Sequence, residues 1–542
     1  MAAVSRKYSR LFIQLAVLVF LAVIIFTLIR HNDTTDMILE TSIKPHSAPK
    51  NFGLVSDLHL ITCMILPLAG EICLNKYAKE DMVNKDLLQN KHKYKNSFKK
   101  WFQFGFTKYL IIKRVNDIDD MILEGISFTV PEGKEYKKLF LVNQPCFLTF
   151  KENLGNAAAE NGFSNIDLLF GEKAVEARMN YKILDSVAFK GDDKKFEISV
   201  SAQTKQNSVV IDNQVNTKDI FTVDKKNLSK FKILQLADLH YSIGPGVCRD
   251  PFPPEDFAEG CEADVITYTF VDKLLDLEAP DFVVFSGDQI MGDLCTQDSE
   301  TCLLKVVKPL IDRKISYTFI WGNHDDEGSL SRSDLSKFAS TLPYSYYFHD
   351  YLKNDKSFGY GNNIINFVSS EEKDKVLMKL FFLDSHKYSL KPKIYPGYDW
   401  IKEEQWQYLT ELSGESSESL NAAFYHIPLP EYRYPNTEII NGELREGVTA
   451  PKYDYGTVEN FFAANNIIFG SCGHDHVNDY CSQIDGRWLC YGGATGMGGY
   501  GGYQGYIRRA RIFEINMLTK KVSTYKRVMG NEKEKLDLFT LY

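Results

Sequence analysis

The pattern of apolar and polar positions divides the chain near residue 230. Beyond that point, short apolar runs rich in β-branched and aromatic residues alternate with longer amphipathic stretches. Residues 232–237 read as a buried strand, 264–277 as a helix, 281–286 as a strand, 302–314 as a helix and 316–321 as a third strand. Strands alternating with helices through short loops predict parallel pairing and right-handed crossovers. Later strands are expected at 376–383, 422–425, 467–470, 487–491 and 507–515. The expected fold class is therefore α/β, with two sheets packed as a sandwich between outer helices.

Before residue 230 the periodicity is weaker. Residues 138–150 and 196–212 have period-two stretches, and 81–93 look helical. An accessory α+β or β-rich domain over 52–228 is expected. Residues 11–29 carry no charge. As a helix they span ~28 Å, close to the ~30 Å hydrocarbon thickness of a bilayer. Arg6, Lys7 and Arg10 precede the run, which predicts a cytoplasmic N-terminal end. A cleavable signal peptide is the rival, but the run ends at Phe26, Thr27, Leu28 and Ile29 without a small-residue cleavage site. The division that follows is 1–10 cytoplasmic tail, 11–29 signal anchor, 30–51 linker, 52–228 accessory domain, 229–530 main domain and 531–542 C-terminal tail. It predicts a single-pass protein with its main domain lumenal or extracytoplasmic.

Composition changes this picture little. With 44% hydrophobic and 13% aromatic residues the chain has the material for a core. A net charge of −8 argues against nucleic acid as the partner. The cysteines suit an oxidising compartment. Cys481 and Cys490 flank an Asp485-Gly486 hairpin signal, while Cys248 with Cys261 and Cys295 with Cys302 bracket short loops. Three disulfides are expected there.

The chemistry gathers at strand ends. Asp238 and His240, Asp288 after Gly287, Asn323 with His324 and Asp325 after Gly322, the lone His426, and His474 with His476 after Gly473 all follow apolar runs. In parallel sheets, sites form beyond the carboxyl ends of the strands. Any one of these residues could be a turn residue or a satisfied buried histidine. Together they offer enough oxygen and imidazole ligands for two divalent metals, a set suited to phosphoester hydrolysis.

In this order the five segments resemble the blocks of calcineurin-like metallophosphoesterases over about residues 231–528. Residues 426–431, 473–481, 489–493 and 508–511 are most similar to the branch holding the fungal dosage-dependent cell cycle regulator phosphatase and plant purple-acid-phosphatase-like proteins. The resemblance implies a four-layer sandwich and two divalent or trivalent metal ions (manganese, zinc or iron). One ion would be held by Asp238, His240 and His476, the other by Asn323, His426 and His474, with Asp288 bridging. It implies His324 as the residue that contacts the phosphate or protonates the leaving group, and Asp325 as its orienting partner. A water shared by two such cations is acidified, and the resulting hydroxide attacks phosphorus in line. One departure concerns colour: purple acid phosphatases carry a tyrosine soon after the Gly-Asp block and tend to have glycine at the place of His240. Here Gln289, Ile290 and Met291 follow Asp288, so a colourless enzyme is expected.

The functional expectation is a membrane-anchored phosphatase of phosphomonoesters, with phosphoproteins among the candidate substrates. A phosphodiesterase acting on nucleotides or lipid headgroups and an inactive binding module on the same fold are the alternatives. Asp57 and His59 repeat the Asp-x-His form without the blocks that should follow, and read as structural. Asp384, Ser385 and His386 read as a loop; Arg445 and Arg508 as surface or interdomain residues; Tyr500 stays unassigned, and the Gly- and Tyr-rich run 492–505 could line a substrate mouth.

Overall fold

The computed structural model describes residues 53–66, 70–73, 82–88, 105–117, 119–153, 162–190, 195–204, 218–348, 357–372, 375–414, 418–436, 440–502 and 505–542. The apolar run at 11–29 lies outside the described residues. No helix among the described residues is long and apolar enough to cross a membrane.

The strands Phe231–Leu236, Phe282–Ser286 and Ser316–Ile320 pair in parallel, linked by the helices Ala263–Glu278 and Ser299–Arg313. Arg509–Asn516, Lys521–Val528 and Asn531–Thr540 extend them antiparallel into a six-stranded sheet. The second sheet has eight strands. In spatial order they are Ile220–Val223, Asn363–Ser369, Val376–Phe382, Leu420–Phe424, Ile467–Cys472, Arg487–Tyr491, Cys481–Ile484 and Ile440–Asn441.

Side-chain alternation explains how these sheets stack. Ile233, Val284 and Phe513 point inward and pack with Phe367, Leu380, Phe424 and Phe469 of the other sheet. The rings of Phe469 and Phe513 stack 4.5 Å apart at the centre. Leu234, Val283 and Phe285 point the other way, against Phe270, Leu274, Leu303 and Val307 of the helices. On the far side, Phe381 and Tyr425 pack with Leu409 and Phe461. Both faces of the central strands are buried, so their sequences are mostly apolar, and a buried exception such as Gln235 is hydrogen-bonded to Ser286 and to the carbonyl of Cys472. The result is helix, sheet, sheet, helix.

Three expectations need correction. The 52–228 boundary cuts too late, because Ile220–Val223 pairs in parallel with Asn363–Ser369 and closes the edge of the eight-stranded sheet. Residues 531–542 are not a tail: Asn531–Thr540 is an edge strand, and Trp488 donates its indole N–H to the carbonyl of Leu541 (2.7 Å). Within 81–93, Met82–Val83 pairs as a strand with Ile111 and Leu110, so sheet contacts override the helical spacing there.

Up to residue 204, the regular elements among the described residues of the accessory segment are all strands, in three small sheets around Leu58, Ile112, Leu148, Leu168 and Val200. It docks on the main domain through the helix Ser299–Arg313. Thr301 Oγ1 accepts the N–H of Phe170 (3.1 Å), and Lys85 Nζ reaches Asp298 (3.1 Å) and Glu300 (2.9 Å) at that helix's start. All three expected disulfides are formed, and Cys63–Cys73 is a fourth that was not foreseen. At the Cys481–Cys490 hairpin, Asp485 (φ 49°) and Gly486 (φ 78°) both take the left-handed backbone of a type I′ turn.

Candidate metal centre

The loops after four parallel strands lock into one another above the sandwich. Asp238 N–H donates to the carbonyl of Gly287 (3.0 Å), His240 N–H to Asp288 (3.0 Å), and Gly473 N–H to His426 (3.1 Å). Asp238, His240, Asp288 and His474 all have positive φ, between 52° and 75°. Strained backbone of this kind persists only where surrounding contacts over-determine it. The glycines of the blocks have a steric reason: a Cβ on Gly287 would strike the His426 ring, and one on Gly322 would strike the Asp288 carboxylate.

These loops bring the predicted residues together in two buried groups. In one, single ligand atoms of Asp238, His240 and His476 lie within 4.8 Å of one another; in the other, those of Asp288, His426 and His474 do. Asp288 faces both groups: its Oδ2 is 3.3 Å from His426 Nε2 and 3.8 Å from His240 Nε2. Asn323 completes the second group, with Oδ1 3.2 Å from His426 Nε2.

The donor set fits metal ions. His426 donates its Nδ1–H to the carbonyl of Ser286 (2.9 Å) and His476 its own to the carbonyl of Tyr500 (2.8 Å). Both Nε2 lone pairs therefore turn inward. There, His426 Nε2 meets the oxygens of Asn323 and Asp288, and His476 Nε2 lies 3.1 Å from His240 Nε2. Without an ion these contacts need a proton on His426 Nε2 and one between the two facing imidazoles; a cation held by the same oxygens and ring nitrogens takes the place of those protons. The acid–base properties report the same deficit. Burial disfavours protonation of His426, yet the charge of Asp288 outweighs it and raises the imidazole to about 9. Burial, aided by the charge of Asp288, pushes Asp238 well above the usual carboxylate range. His240 Nδ1 is buried without a hydrogen-bond partner.

His324 stands at the opening, its side chain 36% exposed and its ring 5.5 Å from that of His240. Its Nδ1 lies 2.7 Å from Glu327 Oε2. Burial opposes protonation here too, but the hydrogen bond to Glu327 and the charge of Asp288 raise His324 to about 9. Asp325 does not orient His324. Its buried carboxylate accepts the N–H groups of Gly322 (2.7 Å), Asp288 (3.0 Å) and Ile290 (3.1 Å), so it clamps the two loops together. The spacing of Asp325 alone could not separate these roles, because its side chain turns inward from a tight turn while Glu327 turns out.

Other residues also find places. Ser385 Oγ accepts the N–H groups of His426 (3.3 Å) and Ile427 (2.8 Å), while Asp384 pairs with Arg332 (2.6 Å). Arg508 is buried, not a surface residue, and donates to the carbonyls of Arg249 and Gly499 (2.8 Å each). The glycine run backs the site: a Cβ on Gly499 would strike both His476 and His240. Tyr500, unassigned from sequence, stacks on His476 at 3.9 Å and its hydroxyl donates to Glu446 (2.9 Å). Nothing in the sequence pointed to Glu446. Asp57 and His59 lie on the accessory strand Val55–Leu66, 3.3 Å apart.

Residues 231–478 match the model of the calcineurin-like phosphoesterase family. "Probable inactive purple acid phosphatase 28" of Arabidopsis thaliana is 33% identical over 57% of this chain and 82% of its own. The chain belongs to the calcineurin-like phosphoesterase family. "Phosphatase DCR2" of Saccharomyces cerevisiae is 43% identical over 69% of this chain and 66% of its own length. "Uncharacterized protein C1020.05" of Schizosaccharomyces pombe is 37% identical, with 57% and 58% covered. The chain thus spans just under two thirds, or less, of these two fungal relatives. The family implies divalent metal ions, and the two buried groups are where this chain can hold them.

Proposed function

We propose that this protein is a metal-dependent phosphatase of phosphomonoesters with a dinuclear centre. The observation that carries the proposal is the convergence of two buried ligand groups on Asp288. Asp238, His240 and His476 would hold one ion and Asn323, His426 and His474 the other. Bound there, the ions would supply Lewis acidity toward the phosphoryl oxygens and toward an attacking water. The chain's own part is to prepare that site. The carbonyls of Ser286 and Tyr500 fix the rings of His426 and His476, so no reorganisation is needed as charge develops. Asp325 holds the Asp288 and Asn323 loops at a constant separation. His324, kept charged by Glu327 and reachable from solvent, can hydrogen-bond the phosphoryl group and pass a proton from its outward ring nitrogen to the departing alkoxide.

The name of the fungal relative supports the phosphatase reading, while the names of the plant relatives favour a second one, a binding module that has lost catalysis. The ligand set of this chain is complete, which favours hydrolysis. Metal-loaded protein should turn over p-nitrophenyl phosphate faster than its bis-ester. Turnover of the diester alone would replace this reading by the phosphodiesterase, and turnover of neither by the binding module. We further propose that residues 11–29 anchor the chain and place residues 229–530 outside the cytosol, a reading supported by their uncharged length and by the paired cysteines. Protease protection of the catalytic part in sealed microsomes is the expected result; its digestion would reverse the topology.

A further inference from the structure

Residues 387–399 leave the sandwich and return to it as a closed excursion. The N–H of Ser389 donates to the carbonyl of Gly397 (3.0 Å) and that of Asp399 to Lys387 (2.7 Å). Two tyrosines sit at its base. The rings of Tyr388 and Tyr398 stack with centroids 4.7 Å apart and planes 16° from parallel, and their hydroxyls are 3.3 Å apart. Tyr398 also meets His474 edge-on, at 4.6 Å. An aromatic wall therefore starts at a residue of the metal centre and runs outward to Tyr388, which is 56% exposed.

The wall shares its opening with His324. Lys387, beside Tyr388, is 2.7 Å from Asp326, which lies on the loop that carries His324 and Glu327. The two sides of the mouth are thus tied together, one offering the imidazole of His324 and the other two ring systems. Tyrosine pairs supply large, rigid contact area at small conformational cost. They stack on planar partners in a way aliphatic groups cannot match.

We propose that Tyr398 and Tyr388 form a specificity-determining platform for substrates in which a planar aromatic group is esterified to phosphate. The proposal rests on the phosphoesterase reading above. A phosphoryl group seated between the two ligand groups, beside His474, leaves its substituent to pass along Tyr398 toward Tyr388. An aryl substituent gains ring packing on that path, and an alkyl substituent gains only its own area.

The test uses manganese-loaded, full-length protein. Phenyl phosphate is compared with glycerol phosphate by kcat/KM, and phenylphosphonate with methylphosphonate by titration calorimetry. Comparing the aryl-to-alkyl ratio between variants cancels the intrinsic reactivity of the aryl ester. Wild type is expected to bind phenylphosphonate more tightly than methylphosphonate. Tyr388→Ala, at an exposed position, should reduce the aryl-to-alkyl ratio about tenfold in both measurements, the scale of a lost aromatic stacking contact. Tyr398→Phe keeps the ring and should keep the preference; circular dichroism checks the fold of each variant. Equal binding of the two phosphonates by wild type, or an unchanged ratio in Tyr388→Ala, overturns the platform. Because phosphonate binding needs no turnover, aryl discrimination without hydrolysis would support the platform while removing the hydrolytic reading.

Discussion

Tyr500 offers the sharpest test of how the metal centre is held. Three contacts join it to His476: ring stacking at 3.9 Å, acceptance of the Nδ1–H by its carbonyl (2.8 Å), and acceptance of the His476 backbone N–H by its hydroxyl (3.2 Å). Its hydroxyl in turn is fixed by Glu446 (2.9 and 3.1 Å). Its neighbours Gly498, Gly499, Gly501 and Gly502 have no side chains, so Tyr500 supplies the only side chain of this run that meets His476, while Arg508 and Asp250 hold the flanking backbone at Gly499 O (2.8 Å) and Gly501 N–H (3.0 Å). Tyr500→Ala removes the stack and the hydroxyl, leaving the His476 ring held by the backbone carbonyl alone. The stack contributes about 0.5–1.5 kcal/mol and the hydroxyl about 1 kcal/mol. Together these predict metal binding about 10–100-fold weaker, the range seen when partners that orient a metal-ligating histidine are lost. Tyr500→Phe keeps the ring and should weaken binding only about fivefold. Competition with a chelator, with bound metal counted by mass spectrometry, measures both. If Tyr500→Ala binds metal within about twofold of wild type, His476 is not oriented in this way.

Three further outcomes are expected. His240→Ala should abolish turnover of p-nitrophenyl phosphate, whereas His59→Ala, on the accessory strand, should retain it; loss in both would extend the site to the accessory domain. Asp298→Ala removes the cap of the helix Ser299–Arg313, which accepts from Glu300 (3.1 Å) and Thr301 (3.3 Å), and strips one partner from buried Lys85. Denaturant unfolding should show a loss of about 2–4 kcal/mol, the sum of a lost cap and a weakened buried ion pair. Burial and the charge of Asp454 push the Glu431 carboxyl up to about 7, so the folded state holds its proton more tightly than the unfolded state. Its contribution is complete below the unfolded value and is lost as pH rises through about 7, so Tm should fall less in Glu431→Gln than in wild type between about pH 5 and 8.

What could be read from the chain alone was whatever depends on short stretches. The buried strands announce themselves as apolar runs, because both of their faces are covered. The Asp485-Gly486 turn and its flanking cysteines are a local matter, and the backbone angles agree. The metal-site residues were legible because they follow apolar strand runs, and Asp288, Asn323 and His474 each come directly after a glycine that its neighbours crowd. Cys63–Cys73 was missed: Pro67 and Gly70 punctuate the nine residues between them, but the strand register that sets the two cysteines opposite each other is not written in that stretch. Ile220–Val223 and Asn531–Thr540 were misplaced because an edge strand is defined by its partner, not by its own pattern.

Roles among neighbours were decided only by the folded chain. Asp325 and Glu327 are two residues apart and both acidic, yet one faces backbone N–H groups and the other the imidazole of His324. Tyr500 and Glu446 are 54 residues apart and meet only because the strands between them return to the same edge. Local pattern determined which residues stand at the mouth of the sandwich. The direction each side chain takes there was set by packing against residues far away in sequence, and that is information no short window of sequence contains.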